Sequence, residues 1–200
     1  ALAADNDFNN AASAPTSYDW SGFYIGLGLV GSRFSDSDTL FPGFKSTGDG
    51  VNAIGHAGLN VQLNSFVFGV EADYTKLNAD FDVRPAVFQS IEITDMASVR
   101  ARIGYAMDRI MFYGTAGVGY AEANVTAFTG LAAPATVSTK LDGYGTVLGL
   151  GLDYALTDNI IFGVQYQHPD YDNFGKGNTL PGQVIDAEFD SLTARLSFKF

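Results

Sequence analysis

Apolar and polar residues alternate along most of the chain, beginning near Trp20. A period of two places apolar side chains on one face of a β-strand and polar side chains on the other. The alternation predicts eight strands, at 22–34, 51–62, 66–76, 94–105, 110–121, 141–156, 160–168 and 188–200. Residues 1–19 are polar and rich in Ala, Asn and Ser, which predicts a flexible segment before a single domain at 20–200.

The connections between the predicted strands alternate in length. Three are of hairpin length, at 63–65, 106–109 and 157–159. Four are long, at 35–50, 77–93, 122–140 and 169–187. Eight strands with short turns at one end and long loops at the other are typical of an outer-membrane barrel.

Every second residue of a strand lies on the same face, and in each of the eight strands the residues of one such parity include no charged side chain. Near both ends of the strands, many residues of this parity are aromatic. The aromatic positions form two girdles, Tyr74, Tyr120, Tyr144 and Tyr166 near the long loops, and Tyr105, Phe112, Tyr154 and Phe162 near the short turns. The opposite parity is mostly Gly, Ser, Thr, Asn and Gln, unlike the Lys- and Glu-rich face of a soluble barrel. An uncharged band between aromatic girdles indicates contact with lipid.

These patterns predict the fold class. In hydrocarbon every backbone polar group must be paired, so the last strand must close on the first. We predict an all-β, eight-stranded antiparallel up-and-down transmembrane β-barrel with short periplasmic turns and four long extracellular loops.

Composition narrows the function. The chain is 46% hydrophobic and 16% charged, and its net charge of −11 disfavours nucleic-acid binding, which needs basic patches. Ala1-Leu2-Ala3 matches the small-x-small pattern before a signal-peptidase cut, which indicates export. There is no cysteine, and no metal-ligand spacing or GxSxG nucleophile elbow occurs. We therefore expect neither an enzyme nor a cofactor.

Charged residues on the polar parity fall at similar heights in the predicted barrel, and we expect them to form an ion-pair cluster in the lumen. The members are Glu71, Asp73, Arg100, Arg102, Asp153 and Arg195. An eight-stranded barrel is just wide enough for side chains to fill, and buried charges are costly unless paired. The alternative is a wet lumen with scattered charges.

Several segments, taken in order, resemble a known family. These are "YDWSGFYIGLGLVG" from Tyr18, "SVRARIGY" from Ser98, "YGTAGVGYA" from Tyr113, "LGLGLDYALTDNI" from Leu148 and the final "LSFKF". Together they resemble the small alphaproteobacterial outer-membrane barrel proteins of the RopB type, relatives of the OmpA transmembrane domain. The resemblance implies insertion by the outer-membrane assembly machinery, with Phe198 and Phe200 in the assembly signal. The glycine usual five residues before the final aromatic is Arg195 here.

The sequence is compatible with three functions. The first is a structural protein that stabilises the bacterial outer membrane and presents its loops to the environment or host. The second is a narrow channel of low conductance. The third is a binder of a surface ligand, either a host factor or haem; His56 and His168 are weak ligand candidates for haem.

The long loops and their bases are acidic, with ten acids against four bases. An acidic rim attracts divalent cations, which predicts cation bridges to lipopolysaccharide. The residues are Asp36, Asp38, Asp49, Asp80, Asp82, Glu92, Glu122, Asp170, Asp172 and Asp186, against Lys45, Arg84, Lys140 and Lys176. A rim that only aids solubility is the alternative.

Overall fold

The protein folds into one closed barrel of eight antiparallel strands, which confirms the predicted fold class. A computed structural model describes residues 18–34, 49–83, 89–129, 135–174 and 185–200. The strands are β1 (Gly22–Phe34), β2 (Asp49–Leu63), β3 (Phe66–Val83), β4 (Gln89–Met107), β5 (Ile110–Thr129), β6 (Ala135–Ala155), β7 (Ile160–Phe174) and β8 (Ile185–Lys199). In these residues no helix is long and apolar enough to cross a membrane.

The barrel closes where β1 pairs with β8. Their ladder runs from Tyr24 opposite Lys199 to Phe34 opposite Phe189. Beyond the strand, the backbone N–H of Phe200 donates to the carbonyl of Phe23 at 2.9 Å. The ladder therefore has no open edge, as hydrocarbon requires.

Two of the short turns each contain a residue in the left-handed backbone conformation. Asn64, between β2 and β3, has a φ of 57°, and Asp108, between β4 and β5, has a φ of 52°. Asn and Asp tolerate this region because their short polar side chains bond locally. The turn residues thus allow the hairpins to be tight.

Most strands continue further toward the outer side than the sequence predicted. β5 and β6 pair as far as Thr129 opposite Ala135, and β3 and β4 as far as Val83 opposite Gln89. Much of the predicted loops at 77–93 and 122–140 is therefore strand. The prediction stopped where apolar residues leave the lipid-facing parity. Beyond that point the alternation continues on the other parity, as in the sequence from Glu122, where Ala123, Val125 and Ala127 alternate with Asn124 and Thr126.

The apolar parity faces outward, as predicted. Leu27 is 73% exposed and Leu150 is 66% exposed, whereas the inward-facing Glu71 and Arg100 are each 1% exposed. The structure places all eight girdle residues on the outward face. Tyr120 lies opposite Tyr144 in the ladder, and their ring centroids are 5.2 Å apart. The barrel is therefore apolar outside and polar inside.

Candidate functional site

Glu71 on β3 is the centre of the charged cluster in the lumen. Its Oε1 lies 2.9 Å from Nη2 of Arg100 and 2.9 Å from Nη1 of Arg195. Its Oε2 accepts the hydroxyl of Tyr24 at 2.7 Å and lies 3.5 Å from Nη1 of Arg102. One buried carboxylate thus contacts three guanidinium groups and a phenol.

Asp73 and Ser98 extend this network toward the outer side. The carboxylate of Asp73 pairs with Nη2 of Arg100 and accepts the hydroxyl of Ser98 at 2.7 Å. Arg100 therefore lies between two carboxylates, which balance its charge.

Arg102 and Asp153 link the network to the far wall of the lumen. The two side chains form an ion pair, although they lie on β4 and β6 with β5 between them. The guanidinium carbon of Arg102 is also 3.6 Å from the centre of the Tyr113 ring, in cation–π geometry. Tyr113 has room because its neighbour in the ladder is Gly151, where a Cβ would collide with the phenol ring.

Glycines likewise leave room for the arginines. Arg100 lies opposite Glu71 on one side and Gly117 on the other. A Cβ at Gly117 would come within 2.8 Å of Arg100 Cγ, and one at Gly163 within 3.0 Å of Arg195 Cγ. These small residues allow large charged side chains to fill a narrow lumen.

The structure thus brings together all six residues that the sequence assigned to the lumen cluster. Three carboxylates face three guanidinium groups, so the formal charges of the cluster sum to zero. Isolated buried charges would be costly, and mutual pairing offsets that cost.

The two histidines lie on opposite faces of the barrel wall. His56 is buried in the lumen, and its Nε2 is 2.7 Å from the hydroxyl of Ser197. His168 is on the outward face, with Nδ1 3.0 Å from a carboxylate oxygen of Asp190, which also accepts the hydroxyl of Tyr166 at 2.6 Å. The two imidazoles therefore cannot bind one ligand together.

A periplasmic floor of apolar residues closes the inner end of the barrel, and sequence reasoning missed it. Tyr18 and Trp20 form its lower layer, with ring centroids 4.8 Å apart. They pack in one buried cluster with Val67, Ala106, Met111, Tyr113, Ala155 and Ile161. The lumen is thus closed at two levels, by charged side chains in the middle and by this floor below.

Hydrogen bonds hold Tyr18 and Trp20 under the barrel. The indole N–H of Trp20 donates to the carbonyl of Asp108 at 3.1 Å, and its backbone N–H donates to Oε1 of Gln62 at 2.7 Å. The hydroxyl of Tyr18 donates to the carbonyl of Asp158 at 3.3 Å. Burial raises the pKa of Tyr18 to about 12.

This packing corrects the predicted boundary of the flexible segment. Tyr18 and Asp19 were assigned to that segment, but Tyr18 is buried and the carbonyl of Asp19 accepts a bond from Lys199 Nζ. The available signal was the spacing of Tyr18 and Trp20, which are two residues apart on the inward parity of β1, but two positions in a polar stretch are too few to establish a strand period. The rest of the predicted segment, 1–17, lies outside the described residues.

A small cavity lies above the cluster, at the outer mouth. Its volume is about 30 Å³, and Asp73, Ser98, Gln167, Tyr171 and Ser191 are among the residues that line it. Space of this size holds about two water molecules. The cavity is too small for an organic ligand such as haem.

Outward-facing acids form a belt above the outer girdle, which we call the carboxylate belt: Asp95, Glu122, Asp142 and Asp190. Asp95 lies opposite Glu122, and Glu122 lies opposite Asp142, on three neighbouring strands. Of the predicted acidic rim, the structure describes the side chains of Glu122 and Asp170; the other twelve lie outside the described side chains. Among those that it does describe, no three His, Asp or Glu side chains could hold a metal ion together.

Comparison with known proteins gives one consistent result. The family described as "Outer membrane protein beta-barrel domain" matches residues 9–200. The 25 kDa outer-membrane immunogenic protein of Brucella canis is 30% identical over 192 residues, which cover 92% of this chain and 80% of that protein. The 22 kDa outer membrane protein of Rhizobium leguminosarum is 30% identical over 153 residues, 76% of this chain and 64% of that protein.

A solved structure shows the same fold at lower identity. Neisserial surface protein A (NspA) matches with a TM-score of 0.57 at 16% identity, over 90% of this chain and 98% of that chain. Together with the alphaproteobacterial relatives, it confirms the resemblance drawn from the sequence motifs.

We predict that Glu71 and Arg100 are energetically coupled. Glu71→Ala leaves three buried guanidinium groups without their shared carboxylate, and breaking a buried pair costs about 3–5 kcal/mol. In a double-mutant cycle with Arg100→Ala, measured by urea unfolding in micelles, we expect a coupling energy of about 1–3 kcal/mol. The fluorescence of the single tryptophan, Trp20, reports unfolding.

The matched control is the exposed pair Arg109 and Asp158, whose charged atoms are 3.0 Å apart outside the lumen. We expect a coupling of about 0–1 kcal/mol there, because water screens exposed ion pairs. Equal coupling in the two cycles would show that the lumen cluster is not a stabilising network.

A second prediction concerns alkaline pH. The pKa of Tyr18 is raised from 10.0 to about 12 in the folded state, so the unfolded chain loses this proton first as pH rises. The contribution to stability is present below pH 10 and is lost between pH 10 and 12. We expect the loss of stability over this window to be smaller in Tyr18→Phe than in the wild type. Identical pH profiles would contradict burial of this hydroxyl.

Proposed function

The chain belongs to the outer membrane protein β-barrel family, and we propose that it serves there as a closed structural protein rather than as a solute channel. In this proposal the barrel stabilises the envelope and the outer loops are presented to the surroundings. The observation that carries it is the filled lumen, in which the Glu71 ion-pair cluster lies above the periplasmic floor.

The lumen contents argue against a channel. A solute must displace Arg100, Arg102 and Arg195 from their carboxylates, and then Trp20 and Met111 from the floor. Open aqueous channels are found in barrels of about 16 strands, whereas eight strands enclose a space that side chains fill.

The lumen also argues against a haem site. His56 is enclosed and already bonded to Ser197. His168 points toward the lipid side of the wall and is bonded to Asp190. Neither imidazole lines the cavity at the outer mouth. We therefore propose that a surface ligand, if there is one, is bound by the outer loops.

Presentation of the loops is supported by a relative. The Brucella canis protein is named as an outer-membrane immunogenic protein. We propose that the present chain is likewise accessible to the immune system of a host, because its strands β5 and β6 extend well above the outer girdle. The outer end of this strand pair would therefore stand clear of the membrane surface.

The final strand supports recognition by the outer-membrane assembly machinery. Phe198 and Phe200 are outward-facing, with ring centroids 5.1 Å apart. Arg195, at the position of the usual glycine, is the third guanidinium on Glu71. We infer that the lumen cluster accounts for this departure and that the outward aromatics still carry the signal.

We propose lipopolysaccharide as the partner of the carboxylate belt. The belt lies just above Tyr74, Tyr120 and Tyr144, at the level expected for headgroups of the outer leaflet. Among the described residues no three carboxylates could hold a metal ion together. In this proposal each divalent cation is therefore shared between belt carboxylates and a lipid phosphate.

The first test measures permeability. Reconstituted wild-type protein should give no steady conductance in a planar bilayer, and liposomes that contain it should not swell in a disaccharide. A 16-stranded porin, reconstituted in parallel, is the positive control. Swelling at a rate close to that of the porin would refute the closed-barrel proposal.

The second test measures lipopolysaccharide binding with Ca²⁺ and after chelation. We expect chelation to weaken binding by the wild type, but to have little effect on Asp95→Asn/Glu122→Gln/Asp142→Asn. Asp158→Asn, an exposed acid at the periplasmic end, is the control and should behave as the wild type. Binding by the wild type that is unchanged by the chelator would rule out cation bridges.

A further inference from the structure

A hydrogen bond inside the lumen crosses the seam, where β1 pairs with β8 to close the barrel. His56 lies on β2 and Ser197 on β8, and Nε2 of His56 is 2.7 Å from the hydroxyl oxygen of Ser197. Gly26 on β1 lies between the two residues and is opposite both of them in the ladder. A Cβ at Gly26 would come within 2.5 Å of the imidazole ring. The glycine therefore leaves the space through which His56 reaches β8, and we call this contact the seam bond.

Charged groups of the lumen cluster surround the imidazole of His56, which is 5% exposed. On the strands packed around it, the titratable and charged groups are Tyr24 on β1, Glu71 and Asp73 on β3, Arg100 and Arg102 on β4, and Arg195 on β8. Three guanidinium groups and two carboxylates therefore lie around one buried imidazole.

Both of these carboxylates are already paired. Glu71 contacts all three guanidinium groups, and Asp73 contacts that of Arg100. The third carboxylate of the cluster, Asp153, pairs with Arg102 at the far wall. A proton on His56 would add a fourth positive charge to a cluster whose formal charges sum to zero. Within the described lumen, a carboxylate could pair with the imidazolium only by weakening an existing ion pair.

We propose that His56 makes the closed barrel sensitive to acid, because proton uptake by this imidazole weakens the seam. Burial disfavours a charged imidazolium, and the neighbouring guanidinium groups disfavour it further. In the unfolded chain, histidine takes up a proton below about pH 6.5. The unfolded chain then binds more protons than the barrel does, so stability falls as the pH decreases below 6.5. This property concerns the stability of the barrel and does not depend on whether the lumen conducts.

Urea unfolding of the full chain in micelles, from pH 8 to pH 5, tests the proposal with wild type and His56→Gln in parallel. Glutamine is polar and can bond to Ser197, but it takes up no proton. Above pH 7 the two proteins should respond equally to pH. Between pH 6.5 and 5, the unfolding equilibrium constant of the wild type should rise relative to that of His56→Gln, approaching about tenfold per pH unit, the slope for one proton.

His168→Gln is the matched control, because the chain contains two histidines. The imidazole of His168 lies outside the lumen, with Nδ1 3.0 Å from a carboxylate oxygen of Asp190. This variant should follow the wild-type pH profile. Ser197→Ala removes the seam bond but keeps the buried imidazole, so it should lower stability at every pH and retain the acid slope. His56→Asn takes the place of His56→Gln if the latter fails to fold.

Hydrogen exchange at pH 5.5 locates the effect. After correction for intrinsic rates, the backbone amides of β1 and β8 should be less protected in the wild type than in His56→Gln, whereas those of β4 and β5 should be equally protected. Identical pH profiles of the wild type and His56→Gln would overturn the proposal, as would an acid slope that disappears in His168→Gln. Loss of protection spread evenly around the barrel would overturn the assignment of the effect to the seam.

Discussion

The ion pairs of Glu71 with three arginines are the interaction on which the rest of this barrel depends. Arg100 and Arg102 come from the neighbouring strand β4, whereas Arg195 comes from β8, across the lumen. Tyr24 on β1 donates to the same carboxylate. One buried acid therefore links the two strands that close the barrel to its opposite wall. Because the carboxylate is buried, the loss of any one partner would leave a charge uncompensated and weaken the other contacts.

The same cluster explains why glycine is frequent on the inward face. A narrow barrel can hold full-length arginine side chains only if neighbouring positions are empty, as at Gly117 and Gly163. The lumen is then filled by charged groups that neutralise one another, and the apolar residues face lipid. The periplasmic floor under Trp20 adds a second closure, with apolar packing rather than charge. The closed structural role that we propose rests on these two closures together.

The outer wall differs between its two halves. Toward the outer leaflet, the girdle tyrosines lie beneath the carboxylate belt, and the hydroxyls of Tyr74 and Tyr166 donate to Asp95 and Asp190. Toward the periplasm, the wall is apolar down to the inner girdle, where Tyr105 and Phe112 lie opposite each other. The outer half of the wall therefore ends in a row of carboxylates, whereas the inner half ends in aromatic rings.

By itself the sequence determined the strands, the parity that faces lipid and the set of charged residues in the lumen. It could do so because alternation with a period of two is a local property, and because a bilayer excludes charge from one whole face. It did not show the outer extensions of the strands, because there the apolar residues leave the parity that faces lipid. Only the tertiary structure decided that Arg102 pairs with Asp153 across β5 and that Tyr18 and Trp20 pack beneath the barrel. Those contacts depend on how the sheet curves to bring distant strands and turns together, and no spacing along the chain records that curvature.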